Sequence, residues 1–415
     1  MLKINKYSKK CIENIKQVYK INNFHHELFK IFDDVYSETI KIDNDIKILN
    51  KKLLKKLHNY KQYPLIYLNY LETNKENSNQ LNFKEFYNYY TENFKEIPDL
   101  IEKESRIKEI ILNPMKDRKK LHKNIYTNQF ISIDIQQIVE TNNIQFTEIL
   151  LNNNKISIYE IDKKVNLELI YFIINFMENL AKKFNIKHNS IDLTLLLTSQ
   201  KKLITNEKFL GPENINSGST YFNESVFIWR IEEVYKVLIH ELIHFFGFDY
   251  KLFMETIATN HSNKHCIDGE DRENEAYTES FAILIHTFII SKFLKISFFD
   301  LFNYEINFSL YQCKKILDFF QITDIKDIIF NKTCKNPIYQ KTAVFSYFFI
   351  KTSLILNLKD TMDFICKNNK NISEFNKLIE KSLESEVINI INNIQIPKEN
   401  NFFNNTMRMT CVEFS

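Results

Sequence analysis

Glycine is almost missing from this sequence. Four occur in 415 residues, and all of them, Gly211, Gly218, Gly247 and Gly269, lie between positions 211 and 269. A chain that avoids glycine keeps it where the backbone needs a positive φ or where another group must come close. The clustering marks this stretch as the one with demanding backbone geometry. Cysteine is sparse and scattered: Cys11, Cys266, Cys313, Cys334, Cys366 and Cys411 form no C-x-x-C pair. That argues against a disulfide framework and predicts free thiols in a reducing compartment. Long apolar runs are missing as well. The nearest, Phe281 to Ile290, is interrupted by His286 and Thr287, ends before Lys292, and is too short to span a bilayer. Lysines break up Met1 to Asn23, so no signal peptide is visible. The reading is a soluble intracellular protein, of the host cytoplasm or a virion if viral. A large excess of either charge is also absent. With 55 basic and 52 acidic residues the net charge is +3, which gives no reason to expect a nucleic-acid partner. Arginine is confined to Arg106, Arg118, Arg230, Arg272 and Arg408, and the heavy use of Lys, Asn, Ile, Phe and Tyr says little about function.

What is there is globular, with 44% hydrophobic and 26% charged residues and a length that suits two or three domains. Residues 1–125 read as a helical region. Ile46, Leu49, Leu53, Leu54 and Leu57 recur at helical spacing, and Pro64, Pro98 and Pro114 punctuate it. The aromatic stripe from Phe83 to Tyr90 reads as core. His25 and His26 are adjacent, so they do not share a helical face.

From residue 126 the texture changes, and 126–304 reads as a separate core. Phe130 to Ile135 is a possible short strand, Glu168 to Phe184 an amphipathic helix, and Ile191 to Thr198 a buried strand. Asn214 to Phe222 is a glycine-containing extended segment, Val226 to Trp229 a further strand, and Lys251 to Glu273 a long loop. Residues 305–395 read as helical again, with segments at Lys314 to Phe320, Ala343 to Leu358 and Ile372 to Ile394. Residues 396–415 read as a polar, frayed tail. The fold class expected is α+β, mostly helical, with a small mixed sheet and one active-site helix.

That helix carries the chemistry. His240-Glu241-Leu242-Ile243-His244 is an H-E-x-x-H motif. Histidines at i and i+4 lie on one helical face about one turn apart, where two imidazole nitrogens can grip one Zn²⁺ ion. Glu241 beside them is placed to take a proton from a water activated by the ion. The bare pattern is only moderately specific, and its setting sharpens it. Between Val237 and Phe248 the polar residues are His240, Glu241 and His244 alone. A helix apolar nearly all round is buried. A buried carboxylate and two imidazoles need partners, and one divalent cation satisfies all three. The plainer alternative is a core helix with hydrogen-bonded histidines and a salt-bridged glutamate.

A catalytic zinc commonly takes three protein ligands. Tyr250 falls where a metzincin pattern would need its histidine, Asp249 is one residue early, and the match fails there. Glu275 and Glu279, 31 and 35 residues after His244, lie four apart on a following helix from Glu273 to His286. One carboxylate could reach the metal while the other hydrogen-bonds a ligand histidine. Ala276 and Thr278 keep that helix slim. His261 and the pair His265-Cys266 could suggest a second metal, but no further ligands lie near in sequence, and they read as a solvated loop.

The H-E-L-I-H together with N-E-A-Y-T-E-S-F-A resembles the gluzincin branch of the zincin metallopeptidases. The E-x-x-x-E-x-F part is similar to the glutamate helix of anthrax lethal factor, and that resemblance implies Glu275 as the third ligand. Clostridial neurotoxin light chains share an H-E-L-I-H, and their longer spacing would imply Glu279 instead. The wider stretch 190–290, with N-I-N-S-G-S-T and W-R-I-E-E-V-Y-K-V-L-I-H-E-L-I-H, also resembles metallopeptidases encoded by large DNA viruses. The resemblance implies a zincin-like core, one Zn²⁺ per chain, and an extended polypeptide substrate added along an edge strand. Asn216, Gly218 and Thr220 would belong to that edge. The reaction implied is peptide-bond hydrolysis with Glu241 as general base. Tyr339 and Tyr347 are candidates for the oxyanion partner, with neither preferred. Two other classes remain open on the residues alone: an inactive zincin-fold scaffold or virion protein, and a zinc hydrolase of non-peptide amides.

Overall fold

The computed structural model describes residues 4–41, 107–111, 121, 125–141, 144–151, 153–161, 165–204, 208–259, 265–269, 271–330, 335–367, 370–396 and 405–414. The fold is a mostly helical α+β arrangement built round a six-stranded mixed sheet. The strands are β1 (Ile107–Ile111), β2 (Gln145–Leu151), β3 (Asn154–Glu160), β4 (Asp192–Thr198), β5 (Gly218–Tyr221) and β6 (Ser225–Arg230), in the order β1-β2-β3-β4-β6-β5. β3, β4 and β6 are parallel neighbours, whereas β1/β2, β2/β3 and β5/β6 are antiparallel. β5 therefore closes one edge of the sheet. The helices used below are α1 (Lys6–Asn14), α2 (27–41), α3 (Ile133–Thr141), α4 (Leu167–Lys183), α5 (Val234–Phe246), α6 (Tyr250–Thr259), α7 (Glu273–Leu294) and α8 (Phe298–Phe319).

The continuous apolar run of β4 has a direct cause, because both faces of this sheet are covered. Leu193, Leu195 and Leu197 point into the main core with α4 and α5. Leu196 points the other way, joining Phe227, Trp229 and the α3 residues Ile135 and Val139 in a second, smaller cluster. The crossover from β3 to β4 is α4, capped by the Asn166 side chain, which accepts from the Leu169 N–H. The main core reaches from Cys11 and Phe32 in the first two helices, through α4, α5, α7 and α8, to Phe414. β1 comes from the segment 1–125 read as helical. The helical spacing at Ile46 to Leu57 and the aromatic stripe at Phe83 to Tyr90 lie outside the described residues.

Several sequence expectations are corrected. Phe130 to Ile135 is not a strand; α3 begins at Ile133, and its Ile135 and Val139, four apart, pack under the sheet. The expected loop from Lys251 contains regular structure: α6 occupies Tyr250–Thr259, and the short strand β7 (Ile267–Asp268) pairs in parallel with β8 (Ile338–Tyr339). Cys266 is disulfide-bonded, so free thiols are not the rule throughout, although Cys11, Cys313, Cys366 and Cys411 are free. Scattering in sequence does not prevent approach in space.

The C-terminal tail is not frayed over 405–414. It threads through the core, with Met409 and Thr410 donating their backbone N–H groups to Glu233 Oε1 at 2.7 and 2.6 Å. Cys411 and Val412 donate theirs to Glu305, both at 2.8 Å. Its polarity serves buried partners rather than solvent. Among the described residues no helix is long and apolar enough to cross a membrane.

Candidate metal centre

α5 carries the motif in a fully packed setting. Every residue from Val234 to Phe246 except His244 is buried. The helix stops at Gly247, whose φ of +75° is the left-handed conformation that lets its N–H and that of Phe248 close back onto His244 and Ile243. A Cβ at Gly247 would also lie 2.5 Å from the Phe222 ring, so glycine is needed there twice over. α7 packs beside α5, buried along its length from Glu273 to Ser291.

This packing brings three donor atoms together. His240 Nε2 lies 3.2 Å from His244 Nε2, and Glu275 Oε2 lies 3.4 Å from the first and 3.3 Å from the second. Ligands about 2.0–2.1 Å from a tetrahedral zinc stand roughly 3.3 Å from one another. The outer nitrogens of both rings are already engaged. His240 Nδ1 meets Glu279 Oε2 at 2.9 Å, and His244 Nδ1 meets Asp249 Oδ2 at 2.8 Å. With those protons on Nδ1, both Nε2 atoms present lone pairs towards Glu275 Oε2, an oxygen that is buried and has no hydrogen-bond donor. Three acceptors facing one another at this spacing repel unless a cation sits among them. The residues present therefore fit a zinc ion.

The outer partners are themselves held. Lys236, one turn before His240, forms a buried ion pair with Glu279 Oε1. The Asn274 amide reaches Asp249 Oδ2 at 3.4 Å. Burial works to raise the Glu275 carboxyl; when His244 and His240 are protonated they outweigh it and hold it well below the usual carboxylate range. Glu279 is held low in the same way, burial being overcome by Lys236 and His240.

Glu241 faces the other way, towards β5. Burial pushes its carboxyl up, only partly offset by His240, His244 and the Thr220 hydroxyl. A carboxyl raised towards neutral pH is a better general base than an ordinary one. Thr220 Oγ1 lies 2.7 Å from Glu241 Oε2. Gly218 lies against the same carboxylate: a Cβ there would fall 2.5 Å from Oε1. A cleft of about 370 Å³ runs along β5 over these groups and is walled on its far side by Arg272, Thr342 and Tyr347.

Of the residues singled out from the sequence, His240, His244 and Glu275 converge, and Glu279 braces His240 rather than joining the cluster. Gly218 and Thr220 lie on the edge strand β5. Asn216 precedes that strand, lines the cleft, and accepts from Thr342 Oγ1 at 2.8 Å. Tyr347 lines the cleft with its ring centroid 6.1 Å from that of His240, whereas Tyr339 is exposed and outside it. Sequence reasoning missed the bracing role of Asp249 and the ion pair of Lys236. The one signal for Lys236 was a lysine in an otherwise apolar helix, one turn before a ligand.

His261 lies outside the described residues. His265 is not solvated; it is buried, with Nδ1 3.1 Å from the Ile329 carbonyl. His265, Asp271 and Glu273 bring donor atoms within 4.8 Å of one another, and Asp271 also accepts from Ser346 Oγ at 2.6 Å.

Comparison with known proteins adds one relative. An uncharacterized protein of Acanthamoeba polyphaga mimivirus is 24% identical over 184 residues, covering 41% of this chain and 47% of the relative. The chain thus spans about half the length of that relative. No family model matches the sequence, and no solved structure matches the fold.

Proposed function

We propose that this protein is a zinc-dependent endopeptidase of the gluzincin type, with His240, His244 and Glu275 as ligands and Glu241 as general base. The observation that carries the reading is the triangle of His240 Nε2, His244 Nε2 and Glu275 Oε2, with sides of 3.2, 3.3 and 3.4 Å. A zinc held there supplies a Lewis acid for the scissile carbonyl and makes a water acidic enough to be used near pH 7. Glu241 accepts the proton of the attacking water and returns it to the leaving amine. Thr220 and Gly218 keep that carboxylate in one orientation. The outer edge of β5, unpaired to any described strand, offers backbone N–H and C=O groups on which an extended polypeptide can align. Tyr347 lines the same cleft, and its phenol is the group we assign to donate a hydrogen bond to charge developing on the carbonyl oxygen. Its hydroxyl stays protonated, because burial first, and Glu275, Glu241 and Glu279 after it, raise its pKa well above the ordinary tyrosine value.

The test is zinc content together with peptidase activity. Wild type should bind about one zinc per chain. Glu275→Ala should lose it, Glu279→Ala should retain it with weakened affinity, and Glu241→Gln should keep the zinc while losing cleavage of a denatured-protein mixture. Folded protein that binds no zinc would leave a catalytically inactive scaffold as the reading. Zinc without peptidase activity would favour a hydrolase of non-peptide amides.

A further inference from the structure

We propose that the cleft selects polypeptides bearing a large apolar side chain about two residues from the cleaved bond, and that Phe222, Tyr250 and Phe253 are the surface that recognises it. The proposal rests on the endopeptidase reading of the site and adds a substrate class to it.

The argument begins with where exposed apolar side chains are found. Thirteen large hydrophobic residues are exposed among the described residues, and five of them, Tyr221, Phe222, Tyr250, Phe253 and Met254, belong to the end of β5 and the start of α6. The two segments meet at one point. Phe222 lies over Gly247, and its ring stacks on Tyr250 with centroids 4.2 Å apart and planes 20° from parallel. Phe253 and Met254 follow Tyr250 at i+3 and i+4 and so share its helical face. Phe222, Tyr250 and Phe253 are 46%, 40% and 37% exposed, and all three line the same cleft as His240, Glu241 and His244. A contiguous exposed apolar patch on a chain that otherwise buries its core marks an interaction surface. Its position names the occupant, because one end of β5 touches Glu241 and the other runs into the patch.

The spacing sets the register. Thr220 contacts Glu241, and Phe222 is two residues further on, the first residue of the turn that joins β5 to β6. A peptide aligned on β5 advances about 3.3 Å per residue. Running past the end of that strand, it brings a side chain about two residues from the reacting carbonyl to the Phe222–Tyr250 stack. No charged side chain lies among Tyr221, Phe222, Tyr250 and Phe253 on this bank of the cleft, and Asp249 beside it is buried against His244. A charged or small polar residue at that position gains nothing there, whereas Phe, Tyr, Leu or Met buries its surface against aromatic faces.

The experiment uses zinc-loaded full-length protein in two arms. In the first, Glu241→Gln protein is titrated with a fluorescent extended octapeptide containing one Phe, and with the same peptide carrying Ser instead. The Phe peptide should bind about tenfold more tightly, and adding Phe222→Ala and Phe253→Ala should abolish the difference while zinc content and thermal midpoint stay unchanged. Phe253→Ala alone, at an exposed helical position, guards against misfolding and should give a smaller loss. In the second arm, wild type digests a denatured-protein mixture, and cleaved bonds should be enriched for large apolar residues two positions away. Equal binding of the two peptides, or a preference that survives the double substitution, overturns the proposal whether or not the wild type cleaves. A Phe preference that depends on the rim in a protein that cleaves nothing would uphold the recognition surface and sink the hydrolase reading.

Discussion

Thr220 Oγ1 stands 2.7 Å from the Glu241 side-chain oxygen Oε2 and 3.1 Å from the backbone oxygen of the same residue. One hydroxyl proton can serve only one of these acceptors at a time. When Glu241 is ionised, the carboxylate is the stronger acceptor and is held in place. When Glu241 has taken a proton, the backbone oxygen can receive the hydroxyl instead. On the proposed reading Thr220 is a positioning residue for Glu241, reaching across from the edge strand.

Thr220→Val, nearly isosteric but without the hydroxyl, should therefore lower kcat about tenfold, the effect of roughly one lost hydrogen bond to a charged group. KM and zinc content should hardly change, and Thr220→Ser should restore most of the rate. Steady-state kinetics beside zinc analysis checks this; a change confined to KM would assign Thr220 to substrate alignment alone.

Lys236 and Glu279 form a second relationship across α5 and α7. Replacing Lys236 by Met removes the cation paired with the buried Glu279 carboxylate, which keeps His240 at 2.9 Å and the more remote Lys351. Breaking a buried pair by removing one partner costs about 3–5 kcal/mol. Loss of such an outer brace typically weakens metal binding 10–100-fold. The variant should melt lower and surrender zinc to a weaker chelator than wild type requires, whereas Lys236→Met combined with Glu279→Leu should regain stability without regaining zinc affinity.

Acid sensitivity follows from two buried groups behind the metal centre. Burial, with Lys236 adding to it, lowers the His286 pKa from 6.5 to about 3. Both its ring nitrogens lack hydrogen-bond partners. Its folded pKa is below its unfolded value, so it binds its proton in the unfolded chain first, and stability falls as pH drops from 6.5 towards about 3. Burial tends to raise Glu233, but Lys202, Arg408 and Lys236 prevail and depress it from 4.5 to about 2. Its contribution is present above 4.5 and is lost as pH falls towards about 2. Thermal melts of zinc-free protein should show a shallow decline starting near 6.5 and a steeper one below 4.5. His286→Gln should remove the shallow limb only. Two unchanged limbs in that variant would count against the assignment.

Deletion of residues 405–415 should abolish folding rather than trim a loose end. Glu233 and Glu305 would each lose backbone donors from the tail, and Glu233 would also lose the Arg408 guanidinium beside it. A carboxylate stripped of its donors in the core costs several kcal/mol. Circular dichroism and protease resistance of the truncated chain read the outcome; a native-like melt would show that the tail is dispensable.

How much of this could be read beforehand depended on distance along the chain. The H-E-x-x-H histidines stand one helix turn apart, and the four-residue spacing is itself the geometry. α4 and β4 announced themselves through local periodicity. Residues whose partners are remote gave weaker signals. Asp249 was weighed only against a pattern it failed to match, although it braces His244 five residues away through the left-handed turn at Gly247. Lys251 to Thr259 looked like loop because its apolar residues serve a cleft rim as well as a core. The tail looked frayed because its polar atoms answer buried carboxylates 105 to 177 residues earlier.

The sequence by itself determined the helical face on which His240 and His244 sit, the acidic helix that follows, and the few positions where glycine is kept. Those are properties of backbone periodicity and local sterics. The tertiary structure alone decided that Glu275 and not Glu279 faces the Nε2 atoms of both imidazoles, that Thr220 holds Glu241, that Lys236 and Asp249 stand behind the two histidines, and that the C-terminal segment closes the core. Each of these depends on the packing of α5 against α7 or β5, where a shift of one helical turn would exchange Glu275 for Glu279, and local periodicity does not specify which turn faces which.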